Sequence, residues 1–305
     1  MTQQKSLSAL AWVLLLTMGV IWGGSFLANR MALETVPVFS VVAVRVGVAA
    51  VCMWAWVIWR KIPVSIGAFD AGKFLILGFL NNAIPFSLIV WGQQHISSGL
   101  ASIINASTAI FTVFLASIFF SDERLSLNKA LGVILGFLGV SIAIGLDAVT
   151  EFNLGSFGQL ACVGAALSYA VAAMFGRGAF SGFRAEVIAA AMLTGSAVIM
   201  IPAALWKDGL ALTQASPTSI AGLIYLSVIA TALAYVLYYR TLALAGAGNL
   251  SLVTLLVVPV AIGLGAIVYD ETLSTEAFIG FGVLAIGMVL IDGRALRRKI
   301  LWRKS

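Results

Sequence analysis

The sequence predicts an all-α integral membrane protein: ten transmembrane helices as two inverted five-helix repeats around a central cavity, with both termini cytoplasmic. Three observations predict this fold. Hydrophobic residues make up 61% of the chain and charged residues 10%, whereas soluble domains have roughly 45–50% and about 25%. The apolar residues form continuous runs, and about 20 such residues cross a bilayer core of roughly 30 Å as a helix. An acidic turn, "DERLS" and then "DETLS", also recurs half a chain apart.

The ten spans are predicted from the apolar runs. Helices suit these runs because lipid offers no partner for backbone N–H and C=O groups. The runs fall near residues 8–29, 38–59, 72–93, 99–120, 127–146, 155–176, 186–206, 217–240, 247–268 and 276–292. The first run is longer than the apolar core of a secretory signal, so we expect a retained first helix.

Basic residues set the predicted orientation. With the N-terminus in the cytoplasm, the outer loops contain only Arg30 and Lys207 as basic residues, and the remaining loop and tail positives lie inside. This asymmetry follows the positive-inside rule. Most of the net charge of +6 comes from the C-terminal tail. We interpret it as topogenic and lipid-facing, so membrane lipids are expected partners and nucleic acid is not.

The recurring acidic turn indicates an internal repeat. When residues 122–145 are aligned with 270–293, Asp, Glu, Leu, Ser and three glycines coincide. The predicted units are residues 1–150, holding helices 1–5, and residues 151–305, holding helices 6–10 and the basic tail. Five helices per unit is an odd number, so the second unit enters the membrane from the opposite side. Inverted repeats of this kind are typical of secondary transporters, which bind substrate near mid-membrane between the halves.

The acidic pairs themselves are expected to be structural. Asp122-Glu123 and Asp270-Glu271 each stand just before a helix. A carboxylate there can cap the free N–H groups and favour the positive end of the helix dipole.

The remaining reactive residues argue against enzymatic and metal chemistry. Cys52 and Cys162 lie in apolar runs and His95 is the single histidine, so we expect no disulfide, metal or cofactor. All twelve acidic residues fall in loops or at span ends, which excludes the paired intramembrane aspartates of an aspartyl protease. A serine hydrolase would depend on His95, and no nucleophile elbow is present. The sequence therefore favours a protein that is not an enzyme.

Several of these residues resemble those of the drug/metabolite transporter superfamily. They are "WGGSF" in helix 1, Arg45 in helix 2, and "DERLS" followed by Gly132, Gly136 and Gly139, with "DETLS" in the second half. More narrowly, the chain is similar to the EamA-type ten-helix exporters, and most like the amino-acid exporters of the YddG kind. The resemblance implies a basket of ten helices around a central cavity lined by helices 1, 3, 4, 6, 8 and 9. It also implies efflux of amino acids or related metabolites across the bacterial inner membrane.

One departure from the family concerns helix 4. Members often have a proline there to match Pro259 of helix 9, but this sequence reads Thr108-Ala109-Ile110. A helix break on that side is therefore in doubt.

Polar and aromatic residues inside the spans are the candidates for the cavity, because polar groups in a membrane usually face the bundle interior. The candidate substrate-binding residues are Trp22, Ser25, Asn81, Asn82, Trp91, Asn105, Thr108, Ser168, Tyr169, Tyr235, Tyr238 and Asn249. Thr231 shares a helical face with the two tyrosines of helix 8. The alternative is that small hydroxyls and amides only join helices, and that aromatic residues form interface belts.

Arg45 is the one charge well inside a span, and two interpretations remain open. It pairs with Glu34 or with backbone carbonyls, or it attracts a carboxylate substrate. His95, at the end of helix 3, is expected to be a boundary residue rather than a proton relay.

The missing mid-membrane carboxylate bears on the substrate. Exporters of lipophilic cations commonly need a buried acid that exchanges the cation for a proton. The sequence therefore favours neutral or zwitterionic solutes, larger apolar amino acids among them. One candidate driving force is the outward gradient of the solute itself, that is, facilitated diffusion. The alternatives are a proton-coupled multidrug cation exporter and a passive channel. Two halves in one chain make a monomer sufficient.

Overall fold

The computed structural model describes residues 9–120, 126–144, 154–245, 250 and 253–292, and most of these residues are helical. We number the helices in chain order as α1 (Ala9–Leu33), α2 (Val38–Trp59), α3 (Ala68–Gly92), α4 (Ser98–Phe119), α5 (Leu127–Ile144), α6 (Leu154–Gly176), α7 (Ala185–Asp208), α8 (Pro217–Leu244), α9 (Val253–Tyr269) and α10 (Thr275–Asp292). Within the described part of the chain, α1 to α8 are long and apolar enough to cross a membrane, and α9 and α10 are shorter apolar helices. The predicted all-helical membrane fold is confirmed. The cytoplasmic position of both termini stays a prediction.

Glycines of α5 and α10 let these two helices approach each other closely. A Cβ atom added at Gly132 would lie 2.6 Å from the carbonyl oxygen of Gly287, and one at Gly139 would lie 2.7 Å from that of Gly280. Gly280 and Gly287 are the repeat counterparts of Gly132 and Gly139. Each glycine thus meets the counterpart of the other, in antiparallel order. Such reciprocal contact is the mark of a two-fold relation.

The other contacts between the two repeats follow the same relation. Helix α1 packs against α8 and α9, and its counterpart α6 packs against α3 and α4. Helix α2 packs against α7, its own counterpart. Exchanging the repeats leaves this set of contacts unchanged. The described helices therefore form two repeats related by a pseudo-two-fold axis.

A π-helical segment interrupts the third helix of each repeat. It covers Phe79–Ala83 in α3 and Tyr225–Leu233 in α8, near the middle of both. The oxygen of Leu80 accepts a hydrogen bond from Ser168 Oγ at 2.7 Å, and that of Ala230 accepts one from Trp22 Nε1 at 3.2 Å. Both donors belong to the first helix of the opposite repeat. Since π-segments are frequent at functional sites, the paired segments indicate that a functional site lies near the middle of the helix bundle.

Helix α4 has an irregular turn at Ser107, although it lacks the proline of α9. It consists of Ser98–Ala106 and Thr108–Phe119, joined at Ser107, whereas α9 runs without a break through Pro259. The Ser107 and Thr108 hydroxyls donate to the carbonyl oxygens three residues earlier, at 2.6 and 2.7 Å. Such local bonds compete with the helical ladder and bend helices without any proline.

Glu271 caps a different helix from the one that the sequence indicates. Its carboxylate accepts hydrogen bonds from Ser98 N at 2.7 Å and Ser98 Oγ at 3.0 Å, at the start of α4. The expectation that it caps α10 is wrong, because Ser274 Oγ accepts from Ala277 N there. Asp270, with φ of 50°, reverses the chain and turns Glu271 toward the opposite repeat. The Asp122-Glu123 turn lies outside the described residues.

Candidate functional site

Polar and aromatic side chains from both repeats meet beside the two π-helical segments. We call this group the central cluster; it comprises Arg45, Asn81, Asn82, Phe86, Tyr169, Thr231 and Tyr235. Helices α2, α3, α6 and α8 contribute these residues. Three of them, Asn81, Asn82 and Thr231, lie within the π-segments. Tyr235 lies two residues after the end of the second segment.

An amide and phenol network joins α3 to α7 and α8. The Tyr235 hydroxyl donates to Asn82 Oδ1 at 3.1 Å, and Asn81 Nδ2 donates to the Tyr235 oxygen at 3.1 Å. Asn82 Nδ2 donates to Ser196 Oγ at 3.0 Å. Asn82 is completely buried, whereas Asn81 and Tyr235 are half-buried. Asn82 therefore positions the network, and Asn81 and Tyr235 present its open side.

Arg45 has other partners than those that the sequence indicates. Its Nε donates to Thr231 Oγ1 at 3.0 Å, and its guanidinium carbon lies 3.7 Å from the Phe86 ring centroid. Among the described residues neither Glu34 nor a backbone carbonyl is bonded to Arg45, and Glu34 instead accepts from the Tyr269 hydroxyl at 2.8 Å. Thr231 is oriented for Arg45 because its own proton goes to the oxygen of Leu226 within the π-segment, at 2.7 Å.

Aromatic rings extend the central cluster toward α1. Trp22 is half-buried, and its ring centroid lies 6.1 Å from that of Tyr238. Tyr238 contacts Tyr239 edge to face at 5.3 Å, and Tyr239 stacks on Tyr235 at 6.3 Å. Such ring pairs combine a large apolar area with polar tips. The Ser25 hydroxyl instead bonds to the Trp22 oxygen of its own helix at 2.6 Å.

Three further candidates have other surroundings. Trp91 packs on His95, with ring centroids 4.7 Å apart, near the end of α3. Thr108 bonds to the Asn105 backbone beside the irregular turn of α4. Asn105 Oδ1 is buried and has no hydrogen-bond partner among the described residues. Asn249 lies outside the described residues.

A second polar group, which sequence reasoning missed, closes one end of the bundle. We call it the polar seal: Asn29, Arg30, Gln93, Ser98 and Glu271. Gln93 is completely buried; it accepts from Asn29 Nδ2 at 2.8 Å and donates to Ser98 Oγ at 3.1 Å. Glu271 holds Ser98 and lies 3.7 Å from Arg30 Nε. The sequence offers no signal for Gln93, because its neighbour Gln94 is the same residue type and is exposed.

Packing is tighter at the polar seal than at the opposite end. In α4, seven of the nine residues of Ser98–Ala106 are buried, and in Thr108–Phe119 only Ile110 and Ala116 are. The half of α4 beside the polar seal is therefore more deeply enclosed by its neighbours than the other half.

The charges of the described residues lie mainly at helix ends, apart from Arg45. Glu271 is in the polar seal, and Asp208 at the end of α7 accepts from Ser40 N at 2.8 Å. Among the described residues, no Asp or Glu belongs to the central cluster. An apolar groove of about 850 Å³ between α2 and α7, which includes Val51 and Val198, is open to the lipid side and lacks polar chemistry.

Comparison with known proteins shows which family the chain matches. The model of the EamA-like transporter family matches the chain twice, at residues 9–145 and 156–292. A "probable amino-acid metabolite efflux pump" of Escherichia coli is 27% identical over 301 residues, which cover 96% of this chain and 96% of that protein. A "probable terminal-alkyne amino-acid exporter" of Streptantibioticus cattleyicolor is 25% identical, with 96% of both chains covered.

A solved crystal structure has the same fold. It superposes with a TM-score of 0.67 at 15% identity and covers 94% of this chain and 99% of that one. At this identity, the likeness concerns the fold alone.

Proposed function

The chain belongs to the EamA-like transporter family, and from that premise we propose that it is a secondary transporter that exports small metabolites across the bacterial inner membrane. The favoured substrates are neutral or aromatic amino acids, and the mechanism is alternating access. The names of the two relatives support the substrate class. A transporter family also favours transport over catalysis.

The central cluster is the observation that carries this proposal. It lies between the repeats, where inverted-repeat transporters bind their substrates. Its amides, phenols and aromatic rings suit a solute with one polar end and one apolar end. Trp22, Phe86 and Tyr238 supply ring surface, and Asn81 and Tyr235 supply hydrogen bonds. A neutral amino acid has both features.

The unequal enclosure of the two halves of α4 supports alternating access. The polar seal joins α1, α3, α4 and the turn before α10 through buried hydrogen bonds. A carrier needs such a closed end together with a more open one, and the two-fold architecture allows the roles to exchange. A passive channel would instead need both ends open at once.

A proton-coupled cation exporter is the main alternative. Such a protein needs an acid at mid-membrane, and the described carboxylates named above lie at helix ends. The charge in the central cluster is positive and repels cations. We therefore favour facilitated diffusion of a neutral or zwitterionic solute. The function requires neither a cofactor nor nucleic acid, and a monomer holds both repeats.

The test is solute counterflow in proteoliposomes. Purified protein would be offered labelled phenylalanine, methionine, threonine and an organic cation, with and without an imposed pH gradient. Saturable amino-acid exchange that ignores the gradient is the expected result. Cation movement driven by protons would assign the protein to the multidrug class instead.

A matched pair of variants connects this test to the central cluster. Tyr235→Phe removes the hydroxyl that joins Asn81 and Asn82, and it should lower exchange. Tyr239→Phe removes a hydroxyl that has no hydrogen bond among the described residues, and it should not. If the two substitutions change the exchange rate equally, transport does not depend on this hydrogen-bond network.

A further inference from the structure

We propose that the guanidinium group of Arg45 is a subsite for the carboxylate group of the transported solute. This inference rests on the proposed transport function and names the group by which a substrate would be recognised. The ligand class is a small organic monocarboxylate with an apolar or aromatic body, amino acids included.

The first observation is a buried charge without a counter-charge. Arg45 is 6% exposed, and no carboxylate of the described residues pairs with it. Burying a charge without a partner is costly in a low-dielectric interior. The Thr231 hydroxyl and the face of Phe86 compensate only in part, because both are neutral groups. An anion at this position would complete the compensation.

The second observation is the free edge of the guanidinium. Only Nε makes a hydrogen bond, to Thr231. The terminal nitrogens Nη1 and Nη2 have no partner among the described residues, yet neither is among the polar atoms that the packing encloses completely. Both therefore keep donors that no described residue uses. This edge presents two donors at the spacing that matches the two oxygens of a carboxylate.

The third observation is the surroundings of that free edge. Phe86 lies under the guanidinium, the Phe86 and Tyr169 ring centroids are 6.5 Å apart, and the Tyr169 and Tyr235 hydroxyls are within electrostatic reach of the charge. These side chains are aromatic with hydroxyl tips. They offer apolar area to the body of a solute. The Tyr235 proton is already donated to Asn82 Oδ1, so the Tyr169 hydroxyl is the donor for its anionic end.

The two-fold relation provides an internal comparison. At the spacing of 148 residues found at the acidic turns, the counterpart of Arg45 is Leu193, and at the spacing of 147 between the two family-model matches it is Met192; both are buried in α7. The second repeat thus packs with an apolar residue in this place. The charge belongs to one repeat only, as expected of a group that recognises a ligand.

The test is ligand binding to the purified full-length protein by titration calorimetry. Four probes share one ring and differ at the polar end: phenylalanine, phenylalaninamide, 3-phenylpropionate and phenethylamine. The wild type should bind the two carboxylates at least tenfold more tightly than the amide and the amine. Arg45→Gln should weaken binding of the carboxylates about 10- to 100-fold, the range of a hydrogen bond to a charged group, and leave the amide unchanged.

Two further variants separate recognition from folding. Arg240→Gln is the matched control, because the same change falls at an exposed position of α8; it should bind all probes like the wild type. Arg45→Lys keeps the charge and should keep the carboxylate preference with lower affinity. If Arg45→Gln fails to fold, two other variants test the subsite: Arg45→Lys, and Thr231→Val, which removes the hydroxyl bound to Nε. The quantity compared is then the ratio of carboxylate to amide affinity, which both variants should lower relative to the wild type.

Each outcome supports or overturns the inference. A wild type without carboxylate preference, or an Arg45→Gln variant that retains it, overturns the subsite. If amino-acid exchange is absent but 3-phenylpropionate binds through Arg45, the subsite stands and the proposed amino-acid transport falls. If exchange is present and Arg45→Gln keeps the preference, the transport function stands and the subsite falls.

Discussion

Replacing Gly287 with alanine should destabilise the protein, whereas the same change at Gly282 should not. Both glycines lie within α10. A Cβ at Gly287 would approach the Gly132 oxygen to 2.7 Å and the Gly136 nitrogen to 2.8 Å, and a Cβ at Gly282 would meet nothing within 4 Å. Backbone atoms cannot rotate away as a side chain can, so the two helices must separate. Such overpacking costs about 1–3 kcal/mol.

The comparison isolates the packing cost from the helix propensity. Alanine is favoured over glycine in a helix interior by about 1 kcal/mol, and both variants share this gain. The difference between them is therefore the packing cost alone, about 1–3 kcal/mol. At about 2 °C per kcal/mol for a chain of this length, Gly287→Ala should melt about 2–6 °C below Gly282→Ala.

The assay is thermal unfolding of purified protein in detergent, followed by tryptophan fluorescence. Both variants should remain monodisperse at room temperature. Equal melting temperatures would refute the close approach of α5 and α10, and with it the reciprocal glycine contact that relates the two repeats.

Three more predictions concern the network, the polar seal and the orientation. Asn82→Leu removes the acceptor of the Tyr235 proton and the amide that donates to Ser196 Oγ, and it should cost about 1–3 kcal/mol; thermal unfolding should show a smaller loss for Asn81→Leu, since Asn81 is half-buried. Glu271→Ala removes the carboxylate on Ser98 and should cost about 0.5–2 kcal/mol, the usual value of a helix cap; Glu276→Ala, which removes an exposed carboxylate from the first turn of α10, should lower the melting temperature less. A fluorescent protein fused after the last residue should fluoresce in cells, and a phosphatase at the same position should be inactive, because the tail is predicted to be cytoplasmic; the reverse pattern would invert the whole topology.

Much of the fold could be predicted because the membrane restricts the chain to apolar helices. The predicted spans and the described helix ends agree to about one helical turn, apart from the start of α9, which borders residues outside the described ranges. The repeat was visible because glycines at Gly132, Gly139, Gly280 and Gly287 have a packing role that few other residues could take.

The interruptions of the helices could not be predicted. The irregular turn of α4 at Ser107 depends on hydroxyl bonds to nearby carbonyls, and serine is as compatible with a regular helix as with a bent one. Pro259, the residue that most suggests a break, lies in a continuous helix. No residue type marks a π-segment, because an extra residue in one turn changes the hydrogen bonds and not the composition.

The substrate-binding role of the candidate residues stays a prediction. Asn82 and Tyr235 are joined by a hydrogen bond, and the partner of Arg45 is a hydroxyl from the opposite repeat. Contacts between residues 186 positions apart follow from how the repeats dock, which a single sequence does not contain.

The two π-segments have a consequence for the mechanics of the helices that contain them. A regular helix transmits torsion from one end to the other, but a wide turn is a point of torsional compliance. Moving one residue out of such a turn would rotate the helix ends relative to each other by about 100° and shift them by about 1.5 Å. The bonds from Ser168 and Trp22 to the freed carbonyls cross between the repeats. Each repeat therefore restrains the rotation of a helix in the other. A rotation of α3 about its axis would be transmitted to α6 through the bond from Ser168.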